Sequence, residues 1–267
     1  MTTNRIGVFG ANGRMGLALL EAVTIKEQTQ LTGAYVRGSS SLLGINVNQV
    51  NSAADNSVSF SEETTIDNVD VLIDFTLPAG MKNHLKTAVA QKIPMVIGTT
   101  GLTTEDMALL NDAAKHIPIV FARNYSVGVN VLLNLVQTAA TKFGDDLDIE
   151  IFEAHHRHKI DAPSGTALAI GESIAQAKGW DHDEVAVYDR SQVETAKSQN
   201  EIGYSVLRGG DIVGEHTAYF ATMGERLELT HKASSRMTFA LGAVRAASWL
   251  RNKPAGLYDM QDVLDLK

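Results

Sequence analysis

Short apolar runs alternate with helical stretches through the first half of the chain, and this alternation constrains the fold more than any other feature. RIGVFG at 5–10, QLTGAYV at 30–36, DVLIDF at 70–75, PMVIG at 94–98 and IPIVF at 117–121 read as strands. Between them, Met15, Ala18, Leu19, Ala22 and Val23 repeat on one face of a helix predicted over 13–25. Pro78 stands where a helix reaching 81–91 would start, and Thr103-Thr104-Glu105-Asp106 is a polar opening for a helix over 105–115. Strands that alternate with helices predict a parallel sheet with helices on both faces. A nearly continuous apolar run such as DVLIDF fits a strand buried on both sides. The stretch 37–69 is polar and weakly patterned, and reads as loops with at most one short strand.

After about residue 125 the pattern changes. A long helix is expected over 128–143, a strand over 147–154 and a helix over 166–178. Then IGYSVLR, EHTAYFAT and RLELTHK follow one another within 202–232 without intervening helices, as in a mixed or antiparallel sheet. One more helix is expected over 237–250, before a short segment ending at Lys267. The expected class is α/β: a Rossmann-like doubly wound parallel sheet with a second α+β domain containing a mixed sheet. A length of 267 residues allows two ordinary domains.

Composition removes several functions. No apolar run approaches the roughly 18 residues a membrane helix needs. A formal net charge of −8 argues against nucleic acid, which requires a basic face. With no cysteine there is no disulfide and no thiolate metal site. MTTNRIGVFGANG lacks the basic start and apolar core of a secretory signal, so a cytoplasmic location is expected.

The first motif is GVFGANGRMG, which puts Gly10, Gly13 and Gly16 at a strand-to-helix turn. Glycines there let the backbone approach a pyrophosphate, and the helix N-terminus attracts its charge. The GxxGxxG spacing alone also fits a turn that only packs a helix on a sheet. At the end of the second strand, where a carboxylate would bind the ribose of NAD, the chain reads Tyr35-Val36-Arg37-Gly38-Ser39-Ser40. Arg37 and the serines suit a 2′-phosphate, which favours NADPH, with NADH possible as a second cofactor. IGTTGL offers Gly98, Thr99 and Thr100 at another strand end, and Phe121-Ala122-Arg123-Asn124-Tyr125 occupies the equivalent place one strand later.

The second motif is EAHHRHKIDAPSGTAL, 153–168. His155, His156, Arg157, His158 and Lys159 concentrate positive charge and proton-transfer capacity in an acidic chain. Three readings compete. A metal site needs three ligands around one point, and a strand would put His155 on the face opposite His156 and His158. A solvated basic loop is the plain alternative. The third reading is an anion site with acid–base chemistry: histidines move protons near neutrality, and Lys159 donates a proton or clamps a carboxylate. Ser164-Gly165-Thr166 adds the N–H groups of a helix start. Two such anion-binding elements suggest a small substrate with two carboxylates.

EAHHRHKIDAPSGTAL is very similar to the signature of the bacterial dihydrodipicolinate reductases (4-hydroxy-tetrahydrodipicolinate reductases) of lysine and diaminopimelate synthesis. VFGANGRMG, IDFT, VIGTTG, NYSVGVN, GDIVGEHTAYF and ERLELTHKASSRMTFA also resemble that family's blocks, so the likeness runs along nearly the whole chain. It implies a cofactor domain of 1–125 plus 239–267 and a substrate and oligomerisation domain of 126–238, usually in a homotetramer. It implies His155 as the acid–base residue and Lys159 as the proton donor to a ring nitrogen. His156, Lys159, Gly165 and Thr166 would bind the dicarboxylate. Gly10, Ala11, Asn12, Gly13, Arg14, Met15, Arg37, Gly98, Thr99, Thr100, Ala122, Arg123, Asn124 and Tyr125 would line the cofactor site, with no metal. Many relatives carry an acidic residue just before the arginine at the end of the second strand. Val36 holds that place here, which agrees with the NADPH reading.

Overall fold

Strand β1 (Asn4–Phe9) stops at Gly10, which turns the chain with φ at +59° before helix α1 (Arg14–Ile25) begins. The left-handed conformation is open to glycine at no steric cost, and a side chain at Gly10 would also press on the Thr76 methyl. The computed structural model describes residues 3–55, 57–64, 66–144, 146–191 and 193–267. They fall into two compact units, Met1–Val127 with Arg236–Lys267, and Gly128–Ser235.

In the first unit β2 (Thr29–Val36), β3 (Phe60–Glu62) and β4 (Val71–Asp74) precede α2 (Pro78–Gln91). Next come β5 (Met95–Ile97), α3 (Thr104–Ala113) and β6 (Pro118–Phe121). Pro78 is the first residue of α2, where its missing N–H costs nothing. Thr103 and Asp106 close a reciprocal capping box on α3. After the second unit the chain returns as α7 (Met237–Leu250), β12 (Gly256–Tyr258) and α8 (Met260–Leu264). Among the described residues, seven parallel strands form one sheet in the order β12-β6-β5-β4-β1-β2-β3. Strands β1 and β4 are buried along most or all of their length. One face of the sheet buries Leu19, Leu20 and Val23 of α1 with Ala243, Val244 and Ala247 of α7, and the other buries Met81 and Leu85 of α2 with Leu110 of α3. The chain winds outward from β1 to β3 on one side and from β4 to β12 on the other. The order therefore reverses between β1 and β4, the place where doubly wound sheets bind ligands.

The second unit holds most of α4 (Val127–Lys142), then β7 (Asp148–His155), α5 (Gly165–Lys178), α6 (His182–Val185) and β8 (Ala186–Val187). It ends with β9 (Ile202–Arg208), β10 (Gly214–Thr222) and β11 (Glu225–Ala233). Its strands run β11-β10-β7-β9-β8, antiparallel from β11 to β7 and parallel from β7 to β8, so the sheet is mixed. Leu132 and Val136 of α4 and Ile170 and Ile174 of α5 pack with Ile149, Ile151, Ala218 and Phe220 of the sheet. The α/β class with a second mixed-sheet domain is what the sequence pattern predicts. The short elements β8, β12, α6 and α8 are additions it did not announce.

Candidate functional site

In the first unit, every residue expected to touch a cofactor sits just beyond a strand's carboxyl end. Gly10, Ala11, Asn12, Gly13, Arg14 and Met15 follow β1, Arg37 follows β2, Gly98, Thr99 and Thr100 follow β5, and Ala122, Arg123, Asn124 and Tyr125 follow β6. The β1–α1 turn is tight, with the Gly13 N–H donating to the Gly10 carbonyl at 2.9 Å and the Ala11 N–H to the Tyr35 carbonyl at 3.1 Å. A Cβ at Gly16 would run into the Gly10 carbonyl, which ties that glycine to close packing of helix on turn. No side chain caps α1 at Gly13, and its first turn carries no acidic residue. A helix start of this kind, bare and beside a glycine turn, suits a pyrophosphate. Thr99 is buried with its hydroxyl unpartnered among the described residues, while Thr100 and Arg123 are exposed. The Tyr125 hydroxyl lies 2.9 Å from the Ile97 carbonyl and 3.0 Å from that of Val120, which ties the loop after β6 to the end of β5.

Arg37 is exposed, as a residue receiving a ligand phosphate would be. The end of β2 itself carries no carboxylate, and the one at this place comes from the neighbouring strand. Glu62, at the end of β3 and in register with Val36, leans over Gly38, so that a Cβ on Gly38 would come within 2.6 Å of its Oε1. Two further groups near these strand ends belong to no local sequence motif. Asp74 ends β4 fully buried, and His84 of α2 lies against it.

The second site forms where a core stripe turns polar. Side chains along a strand alternate faces. Ile149 and Ile151 of β7 are core residues, and the next two positions on that face are Glu153 and His155. On β10 the same stripe runs Phe220, Ala218, His216 and Gly214, and on β9 Ile202 and Tyr204 lead to Arg208. The ionisable groups are thus inserted at one end of the core.

Glu153 is fully buried and organises the others. Its Oε2 accepts from His155 Nδ1 at 2.6 Å, its Oε1 accepts from the Ser164 N–H at 2.9 Å, and the Arg208 guanidinium grips both oxygens at 2.8 and 2.7 Å. Burial alone would raise its pKa, but the donors from His155, Arg208 and Ser164 outweigh it and bring the carboxyl down to about 2. An ionised Glu153 holds the His155 proton on Nδ1 and leaves Nε2 as the other face of the ring. His216 stands edge-on to His155 with ring centroids 5.1 Å apart, and its Nε2 is 3.0 Å from Ser164 Oγ. Burial first, and the neighbouring His155 second, lower the His216 pKa to about 3, so it is neutral at physiological pH.

Strand β7 ends at His155, so His156, Arg157, His158 and Lys159 form a turn rather than a strand continuation. His155 faces the polar end of the core, while the rings of His156 and His158 lie 6.2 Å apart. Lys159 is largely buried, with its ammonium 2.9 Å from Asp161, and it lies close enough to His216 to act on it electrostatically. Ser164 caps α5 by accepting from the Ala167 N–H at 3.2 Å, which makes Gly165 and Thr166 the first residues at the positive end of that helix. Glu153 links His155 directly to the start of α5, and Lys159 borders the same group. Among the described residues no three His, Asp or Glu side chains gather as metal ligands. Glu153 was visible in the motif without a role, and Arg208 and His216 had none; the period-two stripes that end in them were the available signal.

Comparison with known proteins gives a consistent result over the whole chain. Residues 4–125 match the family described as dihydrodipicolinate reductase, N-terminus, and residues 128–264 match dihydrodipicolinate reductase, C-terminus. The 4-hydroxy-tetrahydrodipicolinate reductase of Pseudoalteromonas translucida is 84% identical over 267 residues, covering 100% of both chains. That of Pseudomonas fluorescens is 57% identical, covering 98% of this chain and 99% of the relative. A dipicolinate-bound dihydrodipicolinate reductase from Paenisporosarcina shares the fold with a TM-score of 0.74 at 22% identity, covering 98% of this chain and 99% of that one.

Proposed function

The chain belongs to the dihydrodipicolinate reductase family, and from that membership we propose how its residues divide the work. It is an oxidoreductase of lysine and diaminopimelate biosynthesis, a 4-hydroxy-tetrahydrodipicolinate reductase, and its N-terminal unit is a nicotinamide-dinucleotide domain. The bare start of α1 and the Gly10 turn fit the pyrophosphate, and Gly98 to Thr100 with Ala122 to Tyr125 form the remaining wall of the cofactor site. NADPH is the preferred cofactor in this reading, with Arg37 exposed for the 2′-phosphate, and NADH is the second.

The reduced nicotinamide, when bound, supplies a hydride to a ring carbon of the cyclic substrate. As the hydride arrives, negative charge builds on the ring nitrogen, and Lys159 donates a proton to it. His155, with its Nδ1–H fixed on Glu153, presents Nε2 for acid–base exchange with the substrate. Gly165 and Thr166 at the start of α5 take one carboxylate, and His156 with Lys159 takes the other. Two anchored carboxylates fix the ring in one orientation, which is catalysis by positioning. The observation that carries this reading is the buried Glu153 joined to both His155 and the Ser164 N–H, because one carboxylate then aligns the acid–base residue with the anion site. A small dicarboxylate is therefore the substrate class, and a cytoplasmic homotetramer assembled through the second unit is the expected form. No helix of the described residues is long and apolar enough to cross a membrane.

The test uses substrate made in situ from pyruvate and aspartate semialdehyde by the preceding synthase, with NADPH and NADH consumption followed separately. Fast NADPH loss and slow NADH loss support both the reaction and the cofactor reading. Equal use of the two keeps the reaction and overturns the cofactor preference. No loss of either, with NADPH still bound, overturns the site assignment.

A further inference from the structure

His84 lies on α2, outside every motif discussed so far, and it is almost completely buried. Its Nδ1 is 2.7 Å from Asp74 Oδ2 and its Nε2 is 3.1 Å from Glu63 Oε2. An ionised carboxylate only accepts hydrogen bonds, so a ring nitrogen that meets one must carry a proton. A ring that meets a carboxylate at each nitrogen is an imidazolium. The ring also lies flat on Phe9, with centroids 3.9 Å apart and planes 3° from parallel, a geometry in which an aromatic face favours a cation.

The neighbours of this ring all belong to the strand ends that frame the switch point. Phe9 is the last residue of β1, immediately before Gly10. Asp74 ends β4, and its second oxygen accepts from the Thr76 N–H at 2.7 Å, which sets the methyl of Thr76 beside Gly10. Glu63 follows β3, and its N–H donates to the Val36 carbonyl at 3.2 Å, one residue before Arg37. One ring thus connects the turns that follow β1, β2 and β4.

We infer that His84 is a positioning residue of the dinucleotide site, an imidazolium shared by Asp74 and Glu63 that holds the ends of β3 and β4 against the glycine turn. The inference rests on the reading of this unit as the dinucleotide domain. Asp74 from β4 and Glu63 from beyond β3 are the charged groups that face the ring. Phe9 meets it from β1, and on its own helix Lys82 is turned away to Asp106 at 2.6 Å. Burial opposes the charge on His84, but the two carboxylates outweigh it and raise its pKa. The imidazolium is therefore kept to higher pH than a free histidine would keep it, and it is lost as pH rises through the raised value. Loss of that proton leaves one carboxylate without its donor and adds a negative charge at the rim where a pyrophosphate would lie. Dinucleotide affinity should fall across the same interval.

The experiment measures the dissociation constant of NADPH from mildly acid to alkaline pH for the wild type, His84→Gln and Glu63→Gln. Wild-type binding should weaken as pH rises. His84→Gln should bind about tenfold more weakly at neutral pH, a loss of about 1.4 kcal/mol, and should lose the pH dependence. Glu63→Gln removes one of the two anions while leaving the Asp74 pair, so its midpoint should move to lower pH, and this variant serves if His84→Gln does not fold. Nitrogen NMR of the wild type at neutral pH should find both ring nitrogens of His84 protonated. An unchanged midpoint in Glu63→Gln, a wild-type pH profile in His84→Gln or a neutral His84 ring would overturn the inference alone. Absence of NADPH binding by the wild type at every pH would overturn the dinucleotide reading, and this inference with it.

Discussion

His216 Nε2 and Ser164 Oγ lie 3.0 Å apart, and both residues are nearly inaccessible to solvent. The contact joins strand β10 of the second unit to the N-terminal cap of α5. It fixes the serine whose oxygen caps that helix, and so fixes Gly165 and Thr166 behind it.

Replacing His216 should therefore act on substrate binding. His216→Phe is expected to raise the KM for the cyclic substrate about tenfold, with the KM for NADPH unchanged. His216→Gln, which keeps a group able to hydrogen-bond the serine, should recover most of the loss. Steady-state kinetics with each reactant varied separately checks this. A fall in kcat with both KM values intact would contradict it.

Glu153→Gln tests the charge that aligns His155. The amide cannot satisfy His155 and both arms of Arg208 as the carboxylate does, and kcat should fall by about a hundredfold or more. Stability should respond as well. A buried carboxyl lowered to about 2 contributes about 3 kcal/mol near neutral pH, present above its unfolded pKa and lost as pH falls toward about 2. Denaturant melts of the wild type should thus weaken steeply in acid, and those of Glu153→Gln less so.

Lys159→Ala removes the proposed proton donor. Turnover should drop by about two to four orders of magnitude, while the dissociation constant for NADPH stays close to that of the wild type. Wild-type turnover in this variant would rule Lys159 out as the donor.

Cofactor choice should move in opposite directions at two neighbouring positions. Arg37→Ala should reduce the NADPH-to-NADH ratio of kcat/KM by about tenfold, the scale of one charge-assisted contact to a phosphate. Glu62→Gln should raise the same ratio, because its carboxylate beside Gly38 suits a ribose hydroxyl and repels a phosphate. A Glu62→Gln ratio equal to that of the wild type would remove Glu62 from the selection.

The sequence announces some of these features plainly. Pro78 at the first position of α2 and the Thr103–Asp106 box on α3 are local signals, fixed by residues within one turn of each other. The apolar runs at 71–74 and 95–97 are legible because parallel strands bury both faces. Strand β12 is not: Gly256, Leu257 and Tyr258 carry no pattern of their own and become a strand by pairing with β6. The same distinction holds at the sites. His155, Lys159 and Ser164 stand close in sequence and draw attention together. His216 and Arg208 reach Glu153 through strand register, and Glu62 reaches Gly38 from a strand beginning more than twenty residues later. His84 acquires its meaning through the turn of α2 that lays it on Phe9.

Helix α7 supplies Ala240, Ala243, Val244, Ala246, Ala247 and Leu250 to the core of the first unit, all of them fully buried, and the Asn4 side chain donates to the Ala247 carbonyl. Yet α7 follows the whole second unit in the chain. On the ribosome, the apolar face of α1 must therefore wait uncovered while more than a hundred further residues are made. The second unit, continuous from 128 to 235, can close first, so the part of the protein synthesised earliest is the part completed last.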